Sequence, residues 1–182
     1  MSKILIAFAS THGQTAKIAT RIAAVLRAGG HAVDVHDDVA ASNPSPIGYD
    51  VVIAGASIHA GHHQEDVVRW ARGHGPSLSM TPSAFFSVCL TAAEDTEEAR
   101  ATAHDYLDDF EERTGWTPRL RTTFAGALLY REYHFVTRLV MRVLMKRGGR
   151  PTDTRRDYDY TDWDAVEAFA HACAALPARV AA

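Results

Sequence analysis

Residues 4–26 read ILIAFASTHGQTAKIATRIAAVL, and the prediction of the fold begins from them. An uninterrupted apolar run over residues 4–9 stops at a short polar loop, Ser10 to Thr15. Apolar residues then recur at helical spacing, at Ile18, Ile22, Val25 and Leu26. A continuous apolar strand that leads directly into an amphipathic helix is typical of a parallel sheet covered on both faces. The pattern predicts a buried strand at 3–9 and a helix at 15–28.

The same alternation continues along the chain. It predicts further strands at residues 31–37, 49–57, 83–90 and 122–129, and further helices at 64–72, 95–114 and 161–176, the last with Thr161 as its N-cap. Strands that alternate with helices predict an α/β fold with a doubly wound, five-stranded parallel sheet in the order 2-1-3-4-5. Residues 129–160 are too long for an ordinary connection, and they predict a helical insertion between the fifth strand and the last helix.

Composition argues against a nucleic-acid-binding, a disulfide-rich or a membrane-spanning protein. The 182 residues suit a single domain, 1–182, and the formal net charge of −3 predicts no general attraction to nucleic acid. Two cysteines, Cys89 and Cys173, form no disulfide framework and fit a reduced, cytoplasmic setting. The apolar run after Lys3 is too short for a signal peptide, and no run has the length of a membrane span. We therefore expect a protein that is soluble or lies on a surface.

The loop between the first strand and the first helix has the chemistry of an anion site. Ser10, Thr11 and Thr15 supply hydroxyls, Gly13 permits close backbone approach, and the helix N-terminus adds N–H groups. Because the loop contains no lysine or arginine, hydrogen bonds must hold the anion, and a phosphate monoester suits such a site. Walker A and dinucleotide fingerprints are both absent. A plain helix cap with a hydroxyl-rich turn is the alternative.

The sequence Ser-Thr-x-Gly-x-Thr after a first strand resembles the FMN phosphate loop of flavodoxins. The resemblance implies that FMN is held by Ser10, Thr11, His12, Gly13, Gln14 and Thr15. It implies that two later loops, 55–64 and 87–95, close on the flavin ring. Their candidate residues are Ala56, Ser57, Ile58 and His59 in the first, and Ser87, Val88, Cys89, Leu90 and Thr91 in the second.

Histidines in the loop at 55–64 have two interpretations. His59 is the only ring-bearing side chain near the centre of this loop, so one face of the flavin is expected to stay open for a substrate. His59, His62 and His63 together are also candidate metal ligands, but no second ligand cluster accompanies them, and we expect no metal. Cys89, at the end of a buried strand, is expected to be a packed thiol rather than a catalytic one.

Basic charge is concentrated in residues 131–150, which read REYHFVTRLVMRVLMKRGGR. Six basic residues stand against Glu132, so the segment carries +5 and the rest of the chain −8. Apolar residues recur there at helical spacing, and so do Arg138, Arg142 and Lys146. A basic amphipathic helix suits an anionic membrane surface or a large apolar substrate with carboxylates. An ordinary docked helix with solvated arginines is the alternative.

Six stretches occur in an order that resembles one family in particular, the menaquinone-dependent protoporphyrinogen IX dehydrogenases. They are ASTHGQT, IAGASIHAGHH, PSAFFSVCL, FAGALLYREY, RLVMRVLMKRGGRPTDTR and YTDW. The similarity runs from about residue 3 to 175, and generic flavodoxins lack the insertion and the TDTR…YTDW part. One difference stands out: His59 and Ala60 occupy the place where a basic or aromatic pair is expected.

That resemblance implies a flavodoxin-like fold and FMN-dependent oxidation of protoporphyrinogen IX to protoporphyrin IX in haem biosynthesis. The electron acceptor is then a respiratory quinone, menaquinone or ubiquinone. The protein is expected in the cytoplasm, peripheral on the inner face of the cell membrane, and self-association into a homo-oligomer is left open. The residues expected to meet substrate or membrane are Arg131, Arg138, Arg142 and Lys146.

Three other functions compete with this one. A flavodoxin-type electron carrier usually presents an acidic face to its partners, which the +5 segment argues against. An NAD(P)H-dependent quinone reductase needs only an open flavin face, although the sequence has no second nucleotide site. A surface-binding adaptor with a vestigial flavin fold is disfavoured by the intact loop from Ser10 to Thr15.

Overall fold

The computed structural model describes residues 1–128 and 158–177. Its strands are β1 (Lys3–Phe8), β2 (Ala32–His36), β3 (Val51–His59), β4 (His62–His63), β5 (Ser83–Cys89), β6 (Leu120–Ala125), β7 (Ala127–Leu128) and β8 (Tyr158–Asp159). Five of them pair in parallel in the order β2-β1-β3-β5-β6. The predicted order 2-1-3-4-5 is confirmed, with the second predicted strand at one edge. The remaining short strands pair antiparallel, β4 with β3 and β7 with β8.

Helices connect the strands. They are α1 (Gln14–Ala28), α2 (Val39–Ser42), α3 (Glu65–Gly73), α4 (Gly75–Met80), α5 (Glu97–Thr114) and α6 (Trp163–Ala174). The two short helices α2 and α4 were not predicted, because one or two turns give too little periodicity. The predicted cap of the last helix is wrong. Asp162 is the N-cap of α6, where its carboxylate accepts from the Ala165 N–H, while the Thr161 hydroxyl donates to the carbonyl of Ala125.

The sheet is buried on both faces. Alternate residues of β1 point to opposite sides, so Ile4 and Phe8 join one core cluster while Leu5 and Ala7 join the other. Helices α1 and α6 cover the first cluster, and α3 and α5 cover the second. This two-sided cover is the reason that β1 reads as an uninterrupted apolar run rather than an alternating one.

Two central strands approach closely at Gly55 and Phe86, which pair in register between β3 and β5. A Cβ atom on Gly55 would lie 2.1 Å from Cζ of Phe86. The phenyl ring therefore occupies the space that any other residue at position 55 would need.

The predicted fifth strand, 122–129, ends early. Strand β6 stops at Ala125, and after Gly126 the chain turns into β7, which pairs with β8 in a separate two-stranded sheet. The predicted helix at 131–150, with Arg131, Arg138, Arg142 and Lys146, lies outside the described residues. Within the described part of the chain, no helix has both the length and the apolar character that crossing a membrane requires.

Candidate functional site

A cavity of about 350 Å³ opens where the carboxyl ends of β1, β3, β5 and β6 meet. It is lined by Ser10, His12, Gln14, Thr15, Ser57, Ile58, His59, Ala60, Val88, Cys89, Leu90, Gly126 and Ala127. None of these lining residues is an aspartate, glutamate, lysine or arginine. Among the described residues, an anion in this cavity would therefore meet uncharged hydrogen-bond donors and no carboxylate that repels it. Its place is the one at which doubly wound sheets bind ligands.

The loop after β1 presents hydrogen-bond donors at the N-terminus of α1. Gly13 is the N-cap of α1 in the left-handed region, with φ of 82°, and no side chain caps the helix. Its N–H donates to the Ser10 hydroxyl oxygen at 3.1 Å, which leaves the Ser10 hydrogen available to a ligand. The first turn of α1 contains no acidic residue. The free N–H groups of that turn are therefore left for an external acceptor.

The predicted loop at 55–64 is largely a β-hairpin. Strand β3 continues to His59, turns through Ala60 and Gly61, and returns as β4. Both turn residues have positive φ, 50° and 87°, as a two-residue hairpin with a right-handed strand twist requires. The hairpin carries Ser57, Ile58 and His59 to the rim of the cavity.

Gln64 ties this hairpin to the loop after β1. The Ser57 backbone N–H donates to Gln64 Oε1 at 3.1 Å, and Gln64 Nε2 donates to the Thr11 hydroxyl oxygen at 2.9 Å. Gln64 was not predicted as a site residue, because no local pattern links a glutamine to a threonine 53 positions earlier.

Gln14 ties the same loop to the residues that precede α6. Its Nε2 donates to Asp159 Oδ1 at 3.0 Å and to Thr161 Oγ1 at 2.8 Å. The Gln14 Oε1 is buried and has no hydrogen-bond partner among the described residues. The loop is thus held by two glutamines, Gln64 at the N-cap of α3 and Gln14 in the first turn of α1.

Two histidines meet at the rim of the cavity. The rings of His12 and His59 lie edge to face, with centroids 5.5 Å apart, and His59 Nε2 is 3.0 Å from the Ser57 hydroxyl. Burial, and then the charge of His12, lower the pKa of His59 below its ordinary value. His59 is therefore neutral at neutral pH.

His63 points away from the cavity into the second core cluster. Its ring packs edge-on against Phe85 and Phe110, and its Nε2 lies 2.9 Å from the Ser87 hydroxyl. Burial first, and then the charges of Arg113 and His62, lower the pKa of His63 to about 3. Within the described ranges, no three His, Cys, Asp or Glu side chains are grouped to hold a metal ion.

The predicted site residues divide into two sets. Ten of them line the cavity: Ser10, His12, Gln14, Thr15, Ser57, Ile58, His59, Val88, Cys89 and Leu90. The others lie beside it: Thr11 is exposed, Gly13 caps α1, Ala56 and Ser87 are buried within strands, and Thr91 begins a short 3-10 helix. Burial raises the pKa of the Cys89 thiol, as expected for a packed cysteine.

Three lining residues were not predicted: Ala60, Gly126 and Ala127. Ala60 belongs to the hairpin turn, and the other two follow the early end of β6. The Ala125–Gly126–Ala127 sequence was the available signal, since a glycine within an apolar run often marks the place where a strand ends or bends.

Comparison with known proteins identifies the family. A family model described as a flavodoxin domain matches residues 5–155. A Leishmania major protein named protoporphyrinogen IX dehydrogenase (quinone) is 37% identical over 182 residues, 98% of this chain and 77% of that protein. The Escherichia coli K12 protein of the same name is 36% identical over 174 residues, 96% of each chain. The chain belongs to the flavodoxin-domain family of protoporphyrinogen IX dehydrogenases.

Members of this dehydrogenase family are oxidoreductases, so the prediction of an enzyme is confirmed. The fold agrees: oxidised flavodoxin 2 from Bacillus cereus superimposes with a TM-score of 0.59 at 21% identity, covering 94% of this chain and 97% of that one. The family and the fold indicate a flavin cofactor. The uncharged cavity, with hydroxyls and a helix N-terminus at the loop from Ser10 to Thr15, fits a flavin that carries a phosphate.

Proposed function

We propose that the protein is an FMN-dependent protoporphyrinogen IX dehydrogenase of haem biosynthesis that passes electrons to a respiratory quinone. The observation that carries the proposal is the cavity at the sheet's carboxyl edge, whose described lining has donors for a phosphate and no carboxylate. The names of the relatives, at 36–37% identity over nearly the whole chain, supply the substrate and the acceptor class.

The loop after β1 would hold the phosphate of FMN. Hydroxyls of Ser10, Thr11 and Thr15 and the first N–H groups of α1 are the donors, and each bond to a charged acceptor is stronger than a bond between neutral groups. The sequence has one such phosphate motif, which suits the single monoester of FMN rather than the diphosphate of FAD.

Apolar side chains would contact the ring. Ile58, Val88 and Leu90 line the cavity from β3 and from the end of β5, and Ala127 lines it from β7. When bound, FMN supplies the hydride-accepting chemistry. The chain's own residues bind and orient the cofactor and keep water from its buried edge. The hydroxyl-rich side of the cavity thus suits the phosphate, and its apolar side suits the ring.

Substrate and membrane contact is proposed for residues 131–150. The +5 charge of this segment in a chain of net −3 suits both the propionates of a porphyrinogen and an anionic membrane surface. Arg131, Arg138, Arg142 and Lys146 are the proposed contacts. Both the porphyrinogen and the quinone are apolar, so a position on the inner face of the cell membrane would bring the enzyme to its reactants.

Anaerobic turnover tests the proposal. Purified protein with bound cofactor is mixed with protoporphyrinogen IX and a soluble quinone, and porphyrin fluorescence is followed. We expect fluorescence to rise only when quinone is present, and the cofactor released by heat to be FMN. A protein that reduces quinone with NAD(P)H but leaves porphyrinogen unchanged is a quinone reductase. One that only exchanges electrons with protein partners is a carrier.

Charge reversal tests the membrane part separately. Arg138→Glu, Arg142→Glu and Lys146→Glu are combined, and sedimentation with anionic liposomes is measured. The matched control combines Arg69→Glu, Arg100→Glu and Arg119→Glu, exposed residues with the same change of net charge. We expect the first variant to lose liposome binding and to retain FMN, and the control to keep both. Equal binding by the two variants contradicts the membrane proposal.

A further inference from the structure

Gln64 joins the two loops at the cavity, and both of its bonds have a fixed direction. A backbone N–H can only donate, so the amide atom 3.1 Å from the Ser57 nitrogen is the oxygen. The other amide atom, 2.9 Å from Thr11 Oγ1, is then the nitrogen, which can only donate. The orientation of the Gln64 amide is therefore set by its partners, and the Thr11 hydroxyl is an acceptor in this contact.

The contact with Gln64 determines which hydrogen bond the Thr11 hydroxyl can still make. A hydroxyl has one hydrogen, and because its oxygen accepts from Gln64, the hydrogen remains available to another acceptor. Thr11 is exposed, so without Gln64 its hydroxyl would rotate freely among water molecules. At neutral pH the phosphate group of a flavin is ionised and accepts hydrogen bonds, so donors that are held in place favour its binding.

We infer that Gln64 is a positioning residue that turns the Thr11 hydroxyl into a preorganised donor for the FMN phosphate. The inference rests on the proposed FMN site and deepens it. It makes Gln64 responsible for part of the preference for a phosphorylated flavin, although Gln64 is the N-cap residue of α3, directly after the hairpin, and is absent from the cavity lining.

The same bridge links phosphate recognition to the hairpin. Gln64 accepts from Ser57, whose hydroxyl contacts His59, and the ring of His59 contacts His12 in the loop after β1. The hairpin is thus joined to that loop at two points, Gln64 to Thr11 and His59 to His12. Only the first of these acts on a hydroxyl of the phosphate loop, so its loss should affect phosphate recognition selectively.

A double-mutant cycle with two ligands tests the inference. Affinities for FMN and for riboflavin, which lacks the phosphate, are measured by flavin fluorescence for wild type, Gln64→Ala, Thr11→Val and the double variant. Gln64→Ala should weaken FMN binding about tenfold, the size of one hydrogen bond, and change riboflavin binding little. In the Thr11→Val background, removing Gln64 should have no further effect on FMN affinity.

Two more variants sharpen the test. Gln64→Glu keeps the acceptor for Ser57 but makes the Thr11 hydroxyl donate to the carboxylate, so FMN affinity should fall further than in Gln64→Ala. His62→Ala changes an exposed residue of the same hairpin and should leave both affinities as in wild type. Thermal unfolding of the cofactor-free variants checks that each one folds.

The outcomes separate this inference from the proposed function. If wild type binds riboflavin as tightly as FMN, the phosphate site itself is wrong and the inference falls with it. Two other outcomes would refute the positioning role of Gln64 while leaving the site intact, provided that wild type prefers FMN. In one, Gln64→Ala lowers the affinities for FMN and riboflavin by the same factor. In the other, it lowers the FMN affinity by the same factor in the wild-type and Thr11→Val backgrounds.

Discussion

Gln14 donates a hydrogen bond to Thr161, 147 positions away, with 2.8 Å between Nε2 and Oγ1. Thr161 in turn donates to the Ala125 carbonyl at the end of β6, at 2.9 Å. A short relay of hydrogen bonds therefore connects the first residue of α1 to the last residue of an edge strand and to the start of the final helix. It fixes the loop after β1 to the residues that directly precede α6.

Replacing Thr161 with valine should reveal the strength of this connection. Valine has nearly the same shape but leaves the Ala125 carbonyl and the Gln14 amide with one fewer partner. We expect the free energy of unfolding to fall by about 1–3 kcal/mol, the cost of buried groups that lose a hydrogen bond. Urea denaturation measures the change. Thr20→Val is the control, because the Thr20 hydroxyl donates to the exposed carbonyl of Ala16 within α1. If Thr20→Val lowered the free energy of unfolding as much as Thr161→Val, the connection through Thr161 would add nothing to stability.

Loss of the threonine hydroxyls should weaken FMN binding. Thr15 is buried and lines the cavity, while Thr11 is exposed beside it. With both changed to valine, two bonds to a charged phosphate are lost, each worth roughly 1.5–3 kcal/mol, so affinity should fall by two to four orders of magnitude. Riboflavin affinity, measured in the same titration, should change far less. Unaltered FMN affinity would mean that the phosphate lies elsewhere.

A methyl group at Gly55 should disturb the centre of the sheet. In Gly55→Ala the new Cβ meets the ring of Phe86 at 2.1 Å, so strand or ring must shift. We expect a loss of about 1–3 kcal/mol in the free energy of unfolding. Gly73→Ala is the control: nothing lies within 4 Å of its Cβ, and it should be neutral or stabilise by about 0.4–1 kcal/mol. Adding Phe86→Leu should recover part of the loss at Gly55, and its failure to do so would argue against the clash.

Buried His63 should make stability depend on pH. Its pKa is lowered from 6.5 to about 3 in the folded chain, so between these values only the unfolded chain binds the proton. The free energy of unfolding should therefore fall as the pH drops from 6.5 towards 3, by about 1.4 kcal/mol per pH unit from this residue. Stability curves for wild type and for His63→Phe combined with Ser87→Ala should differ by that slope. Parallel curves for wild type and the double variant would contradict the assignment.

Much of the site was predictable because its signals are local. The hydroxyls and the glycine of this loop all lie within the six residues 10–15, and their chemistry follows from the strand and the helix on either side. The hairpin at Ala60 and Gly61 was less visible. An alanine with positive φ is unusual, and no common turn sequence marks it, so the sequence of residues 55–64 predicts a loop.

The sheet and its ligand-binding edge follow from local patterns in the sequence. The apolar run of β1 and the helical spacing after Gly13 are properties of neighbouring residues, and the alternation of such units leaves few ways to build a parallel sheet. Which side chains hold the loop after β1 in place follows only from the folded chain. Gln64 reaches Thr11 and Gln14 reaches Thr161 only because the folded sheet brings together residues 53 and 147 positions apart. A hydrogen bond depends on the distance and direction between two groups in space, and sequence periodicity predicts neither for residues so far apart in the chain.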